Sequence, residues 1–214
     1  MKKDIKGIIF DLDGTLFDSC AMWHKIDEIF LNKRGFEVPS DYAKAIAPLG
    51  LVKAASYTKE RFHLDEKEED IIKEWHDLAL YEYTYNVNLK PFALEYLKKL
   101  KENNIKLAIA TANDKDFYLP CLKRNKILDY FDYICDVNEF KGSKNTPEIY
   151  LRVASAINLE PKDMAVFEDI PQALISAKNG GFYAVAVDDL LEISLREEKI
   201  KISDLFITSF KELL

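Results

Sequence analysis

The chain has 214 residues, 48% of them hydrophobic and 31% charged, which is ordinary for a soluble globular protein and enough for one large domain or one domain with an insertion. With 37 acidic against 30 basic side chains the net charge is −7, which argues against a nucleic-acid binder or a protein of anionic membrane surfaces. No run approaches the ~20 apolar residues of a membrane span. Asp4, Lys6 and Asp11 interrupt the region after Met1-Lys2-Lys3, so no signal peptide is expected, and Cys20, Cys121 and Cys135 form no pairwise or metal-like spacing. These features predict reduced cysteines in a cytoplasmic protein.

In chain order, Gly7 to Phe10 is a short apolar run that reads as a buried strand, ending abruptly in Asp11-Leu12-Asp13-Gly14-Thr15. A helical pattern follows through Trp23, Ile26 and Phe30 and stops near Arg34-Gly35, where the glycine suits the position just past a helix end. Residues 40–84 continue as helical segments. Asp65-Glu66-Lys67-Glu68-Glu69-Asp70 opens one of them with the acidic first turn that a helix dipole favours. From Pro91 the texture changes. Phe92, Leu94, Leu97 and Leu100 mark an amphipathic helix that stops at Asn103-Asn104. Strands are then predicted over 105–110, 130–135, 164–167 and 183–187, with an edge strand near 205–207. Helices are predicted over 115–125, from Pro147, and over 171–179. Strands alternating with helices predict an α/β fold with a doubly wound parallel sheet, whose ligands bind outside the carboxyl ends of the strands.

The chemistry-bearing residues fall at those ends. Asp11 and Asp13, two apart at the end of an extended segment, would project the same way. Two like charges this close repel unless a cation or a shared proton offsets them, and a hard divalent ion such as Mg²⁺ suits one or two carboxylates plus phosphate oxygens. Thr111 ends the second strand, where its hydroxyl and the backbone N–H groups of Ala112 and Asn113 can meet a phosphoryl oxygen. Glu168 and Asp169 again close a strand with two acids.

The segment Phe10–Ser19, Phe-Asp-Leu-Asp-Gly-Thr-Leu-Phe-Asp-Ser, resembles the haloacid-dehalogenase-like (HAD) hydrolase superfamily, closest to its phosphatase and β-phosphoglucomutase branch. The resemblance extends over nearly the whole chain through four motifs in the family's order. It implies a Rossmann-like core, residues 1–16 and 89–214, with an inserted all-helical cap, residues 17–88, hinged at Asp18-Ser19 and 86–90. It implies Asp11 as the nucleophile that becomes an aspartyl-phosphate, Asp13 as general acid/base, and Thr111 in the second motif. Alignment of the third motif on Pro147-Glu148-Ile149-Tyr150 selects Lys144 rather than Lys141 as the charge-compensating lysine. Asn145 stands where the family usually has proline, Ile170 where it usually has serine and Ala173 where it often has glycine. Asp169 would bind Mg²⁺ with Asp11 and the backbone carbonyl of Asp13, and Glu168 would act through water or as an outer ligand.

An acid at position 13 separates phosphoryl transfer from true dehalogenases, which lack it. In the cap, Gly50-Leu51-Val52-Lys53 resembles the family's substrate-facing loop, so Lys53 is a candidate contact for a distal phosphate or other anion. β-Phosphoglucomutases carry a histidine in the first cap helix. Met22 and Trp23 stand at the two positions that counting gives, and His24 would point about 100° away on a helix. The resemblance therefore implies a monomeric Mg²⁺-dependent phosphatase acting on a small phosphorylated metabolite such as a sugar phosphate. A phosphosugar mutase is the alternative.

Overall fold

The structure, a computed structural model, describes residues 4–46, 49–189 and 193–214. Residues 1–3, which entered the signal-peptide reading, and 47–48, inside the helical stretch 40–84, lie outside the described residues. The chain divides into two compact units, 1–20 with 87–214, and 21–86.

The smaller unit is helical: α1 (Cys20–Asn32), α2 (Tyr42–Ile46), α3 (Leu51–Phe62) and α4 (Glu68–Tyr85). Helix α1 buries Met22, Ile26, Phe30 and Leu31, and Gly35 follows it at φ +80°, the left-handed conformation in which glycine carries no steric penalty. Its interior is aromatic. Phe30 meets Trp75 at 5.4 Å and Tyr42 meets Phe62 at 5.6 Å, edge-on arrangements that suit the ring quadrupoles. Arg34 lies over Phe30 and pairs with Glu66 and Glu74, tying the end of α1 to α4. The acids Glu68, Glu69 and Asp70 occupy the first turn of α4, as the charge run predicts.

The larger unit is a six-stranded sheet in the order β3-β2-β1-β4-β5-β6. The strands are β1 (Gly7–Phe10), β2 (Lys106–Thr111), β3 (Tyr133–Asp136), β4 (Met164–Glu168), β5 (Tyr183–Val187) and β6 (Leu205–Ile207). Every pairing is parallel, so the fold class read from the sequence holds. Ile9 pairs with Ala108 on one side and Val166 on the other. The unbroken apolar runs follow from burial on both faces. One face packs Ile9, Ala108 and Val166 against Ile149 and Val153; the other places Phe10 4.9 Å from Phe167 and 6.5 Å from Phe210. The remaining helices are α5 (Ala93–Glu102), α6 (Lys115–Arg124), α7 (Val137–Phe140), α8 (Glu148–Ala156), α9 (Pro171–Asn179) and α10 (Arg196–Ile202).

Two boundaries differ from the sequence pattern. Phe92 adopts a left-handed conformation (φ 66°) and is exposed, so α5 begins at Ala93 and buries Ala93, Tyr96, Leu97 and Leu100 rather than a stripe starting at Phe92. A 3₁₀ turn over Leu128–Tyr130 takes up the start of the predicted third strand and shifts it to Tyr133–Asp136. Among the described residues no helix is long and apolar enough to cross a membrane.

β1 lies at the centre, and the chain adds β2 and β3 on one side of it and β4 to β6 on the other. The switch point between β1 and β4 is where an open parallel sheet leaves a crevice at its carboxyl edge. Asp11 and Glu168 stand at those two strand ends.

Candidate active site

The β1–β4 pairing continues one residue past β1, the Asp11 N–H donating to the Phe167 carbonyl at 3.0 Å. The backbone then turns sharply, with the Phe17 N–H donating to the Leu12 carbonyl at 2.7 Å and Gly14 donating to Phe17 at 3.1 Å. Gly14 takes φ +72°, and a Cβ on it would lie 2.1 Å from Asp169 Oδ2. The turn therefore needs glycine both for its dihedral and for the approach of the carboxylate. Asp13 sits on this turn. Its Oδ1 accepts from the Ser19 hydroxyl at 2.7 Å and its Oδ2 from Asn113 Nδ2 at 2.8 Å. A hydroxyl can donate or accept, so Ser19 can hold this carboxyl in either protonation state.

Asp11, Glu168 and Asp169 are all buried, and one ligand oxygen from each lies within 4.8 Å of the others. The Lys144 ammonium contacts both Asp11 and Glu168. Burial disfavours its charge, but the two carboxylates more than offset that and hold its pKa above the ordinary lysine value. The Tyr150 hydroxyl donates to Glu168 Oε1 at 2.9 Å, while Glu168 Oε2 is buried with no hydrogen-bond partner among the described residues. Thr15 Oγ1 donates to Asp169 Oδ1 at 3.4 Å. Burial, reinforced by Asp11 and Glu168, pushes the Asp169 carboxyl well above the usual carboxylate range, and burial pushes Glu168 up against the pull of Lys144. Three carboxylates facing one contacting ammonium, with one buried oxygen unmatched, form a donor set suited to a hard divalent cation. The Asp13 side chain does not belong to this cluster.

A cavity of about 300 Å³ opens onto these strand ends, lined by Asp11, Asp13, Thr111, Ala112, Asn113, Lys144 and neighbouring loop residues. Thr111 ends β2 and is 1% exposed. Its Oγ1 accepts from the Asn113 N–H at 3.0 Å, so that amide is directed at Thr111 rather than into open space. Asp114 caps α6 by accepting from the Asp116 N–H. Of the residues singled out in the sequence, the cavity brings together Asp11, Asp13, Thr111, Ala112, Asn113 and Lys144, while Glu168 and Asp169 are not among its lining. Lys141 is not among its lining: it ends α7 in a left-handed conformation (φ 57°) and is exposed. Lys53 is an exposed residue near the start of α3 in the helical unit. Also there, Met22 is buried, Trp23 is 46% exposed, and Tyr57 accepts from Arg61 at 2.7 Å.

The family model of haloacid dehalogenase-like hydrolases matches residues 8–187. The chain belongs to that family. Among HAD relatives, a phosphorylated carbohydrates phosphatase of Thermotoga maritima is 27% identical over 177 residues, covering 83% of this chain and 82% of that protein. β-Phosphoglucomutase of Bacillus subtilis is 26% identical over 192 residues, covering 86% and 83%. A Thermotoga maritima crystal structure, described provisionally as a β-phosphoglucomutase, superposes with a TM-score of 0.85 at 25% identity, covering 98% of this chain and 100% of that one. This HAD protein is therefore an enzyme of the phosphatase and β-phosphoglucomutase branch.

Three neighbours of this HAD site escape the sequence reading as contributors: Ser19 on Asp13, Thr15 on Asp169 and Tyr150 on Glu168. All three lie inside the motif segments Phe10–Ser19 and Lys141–Leu151. Position within a motif is the signal that points to them, while their partners depend on side-chain direction.

Proposed function

We propose that this HAD enzyme is a Mg²⁺-dependent phosphatase that hydrolyses a small phosphate monoester, a sugar phosphate or similar metabolite, through a phosphoryl group carried on Asp11. The observation that carries the reading is the placement of Asp11 against the Lys144 ammonium, in a cavity that also presents Asp13 and Thr111.

In the first half-reaction an Asp11 carboxylate oxygen attacks phosphorus, and the bond from phosphorus to the ester oxygen breaks. Asp13 gives its proton to the departing alkoxide. In the second, Asp13, now a carboxylate, takes a proton from water as the water oxygen attacks phosphorus. The bond from phosphorus to Asp11 breaks and inorganic phosphate leaves. Lys144 offsets the charge of carboxylate and phosphoryl group brought together, and Thr111 with the Ala112 N–H donates to phosphoryl oxygens. Asp11, Asp169, Glu168 and the backbone carbonyl of Asp13 would hold the Mg²⁺, which supplies charge neutralisation at the phosphoryl oxygens. The helical stretch 17–88 is read as a substrate-selecting cap, with Lys53 as its candidate anion contact.

The phosphorylated carbohydrates phosphatase relative supports a sugar phosphate as substrate. The β-phosphoglucomutase relative supports the second reading, a phosphosugar mutase; against it, Met22 and Trp23 stand where the resemblance to that branch implies a histidine. The test is phosphate release from a panel of phosphate monoesters, with Mg²⁺ or EDTA, for wild type and Asp11→Asn. Release that needs Mg²⁺ and vanishes in the variant is expected. Isomerisation of a sugar phosphate that requires a bisphosphate activator, without net phosphate release, would mean a mutase. Turnover surviving in Asp11→Asn removes Asp11 as the nucleophile.

A further inference from the structure

Glu168 is 0% exposed, and its two oxygens are treated differently. Oε1 receives both the Tyr150 hydroxyl, at 2.9 Å, and the Lys144 ammonium, whereas Oε2 receives no hydrogen bond from any of the described residues. Both donors come from one stretch of chain, Lys144 in the loop before α8 and Tyr150 in its first turns.

The ring of Tyr150 has little freedom. It is 1% exposed, packs in the core cluster with Ile9, Val153 and Val166, and meets Phe182 edge-on at 6.2 Å. A glutamate's terminal torsion is soft, so a carboxylate held only by a lysine on a loop can rotate and exchange its oxygens. A hydroxyl on a fixed ring removes that freedom because it donates from one direction only. A phenylalanine in the same place would fill the same volume and leave the carboxylate unrestrained.

We propose that Tyr150 is a positioning residue for divalent cation binding: by fixing Glu168 Oε1, it leaves Oε2 as the oxygen available to the cation. This rests on the reading of Asp11, Glu168 and Asp169 as a cation site and adds a determinant of its affinity outside the carboxylates themselves. Groups that orient a metal's ligands commonly change its affinity about 10- to 100-fold when removed.

The experiment is a titration of the metal-free protein with Mn²⁺ alone, following free Mn²⁺ by electron paramagnetic resonance, for wild type, Tyr150→Phe and Tyr118→Phe. Tyr118 is the control. It is buried too, 3% exposed, and donates to Asp136 at 3.0 Å, a carboxylate outside the Asp11, Glu168 and Asp169 cluster. The expected result is about tenfold weaker Mn²⁺ binding in Tyr150→Phe and wild-type binding in Tyr118→Phe, with both variants folded by thermal melt. Equal affinity in wild type and Tyr150→Phe overturns the role of Tyr150 and leaves the cation site standing. No Mn²⁺ binding by wild type overturns the cation site and, with it, this inference. A second measurement needs no variant: on adding Mg²⁺ to wild type, the side-chain resonances of Tyr150 shift while those of Tyr118 do not, and an unmoved Tyr150 counts against the proposal.

Discussion

Lys144 meets Asp11 across 133 residues of sequence, and the same ammonium touches Glu168 at the end of the neighbouring strand. Among the described residues it is the cation in contact with these carboxylates of two strands, so its removal leaves both buried without a contacting positive charge. Breaking a buried pair in this way typically costs about 3–5 kcal/mol. Lys144→Met should therefore lower stability by about 3 kcal/mol without metal, and adding Mg²⁺ should recover part of it, because a ligand that binds only the folded state stabilises it. The expected loss in kcat is about 10²- to 10³-fold, the scale seen when one stabilising charge or donor is taken from a reacting centre. Thermal melts with and without Mg²⁺ check the first claim; a metal-free melt unchanged from wild type sinks it.

Asp11→Asn makes the opposite stability prediction. Asp11 is among the causes that push Asp169 upward, after burial itself, so neutralising it relieves repulsion inside the cluster. Lys144 keeps Glu168 as a partner. The metal-free variant should melt no lower than wild type, its Mg²⁺-induced rise in Tm should shrink, and phosphate release should vanish. A variant that loses stability and activity together would mean that Asp11 acts mainly through the fold.

The centre of the sheet is legible in the sequence because β1 and β4 are apolar runs buried along their whole length, and β1, β2 and β4 stop at Asp11, Thr111 and Glu168-Asp169, the residues that the chemistry needs. Lys144 can be chosen over Lys141 by its spacing from Pro147 and Tyr150, and the structure seats Lys144 at Asp11 while Lys141 ends a helix. Partnerships set by side-chain direction are not legible. Nothing in the order of residues says that Ser19 and Asn113 reach the same carboxyl, or that one oxygen of Glu168 takes two donors. Phe92 misleads for a related reason. Its left-handed backbone turns it out of the stripe to which its spacing assigns it.

Gly14→Ala tests the turn between Asp11 and Thr15. A left-handed conformation costs an alanine about 1–2 kcal/mol, and the new Cβ would sit 2.1 Å from Asp169 Oδ2. Asp169 must move, so divalent binding should fall more steeply than thermal stability. A Mn²⁺ titration beside a melt separates the two effects. Full affinity with only a lower Tm would mean that the turn matters for folding and not for holding Asp169 in place.

Asp27 gives the helical unit a pH dependence of its own. It lies on the inner face of α1 beside Ile26 and Phe30, and burial raises its pKa from 3.8 to about 6, with His24 pulling weakly the other way. The folded state therefore holds this proton to a higher pH than the unfolded chain does. Between about pH 4 and pH 6 the folded state binds more protons, so stability falls as pH rises, and above pH 6 the full penalty of a buried carboxylate remains. Asp27→Asn removes the charge and keeps the shape. It should change little near pH 4 and should stabilise by about 1–2 kcal/mol near pH 8, less than the full linkage value because the side chain keeps some solvent screening. Chemical denaturation of both proteins at the two pH values measures the difference. An equal effect at both would assign the change to packing and remove the carboxylate's charge as its cause.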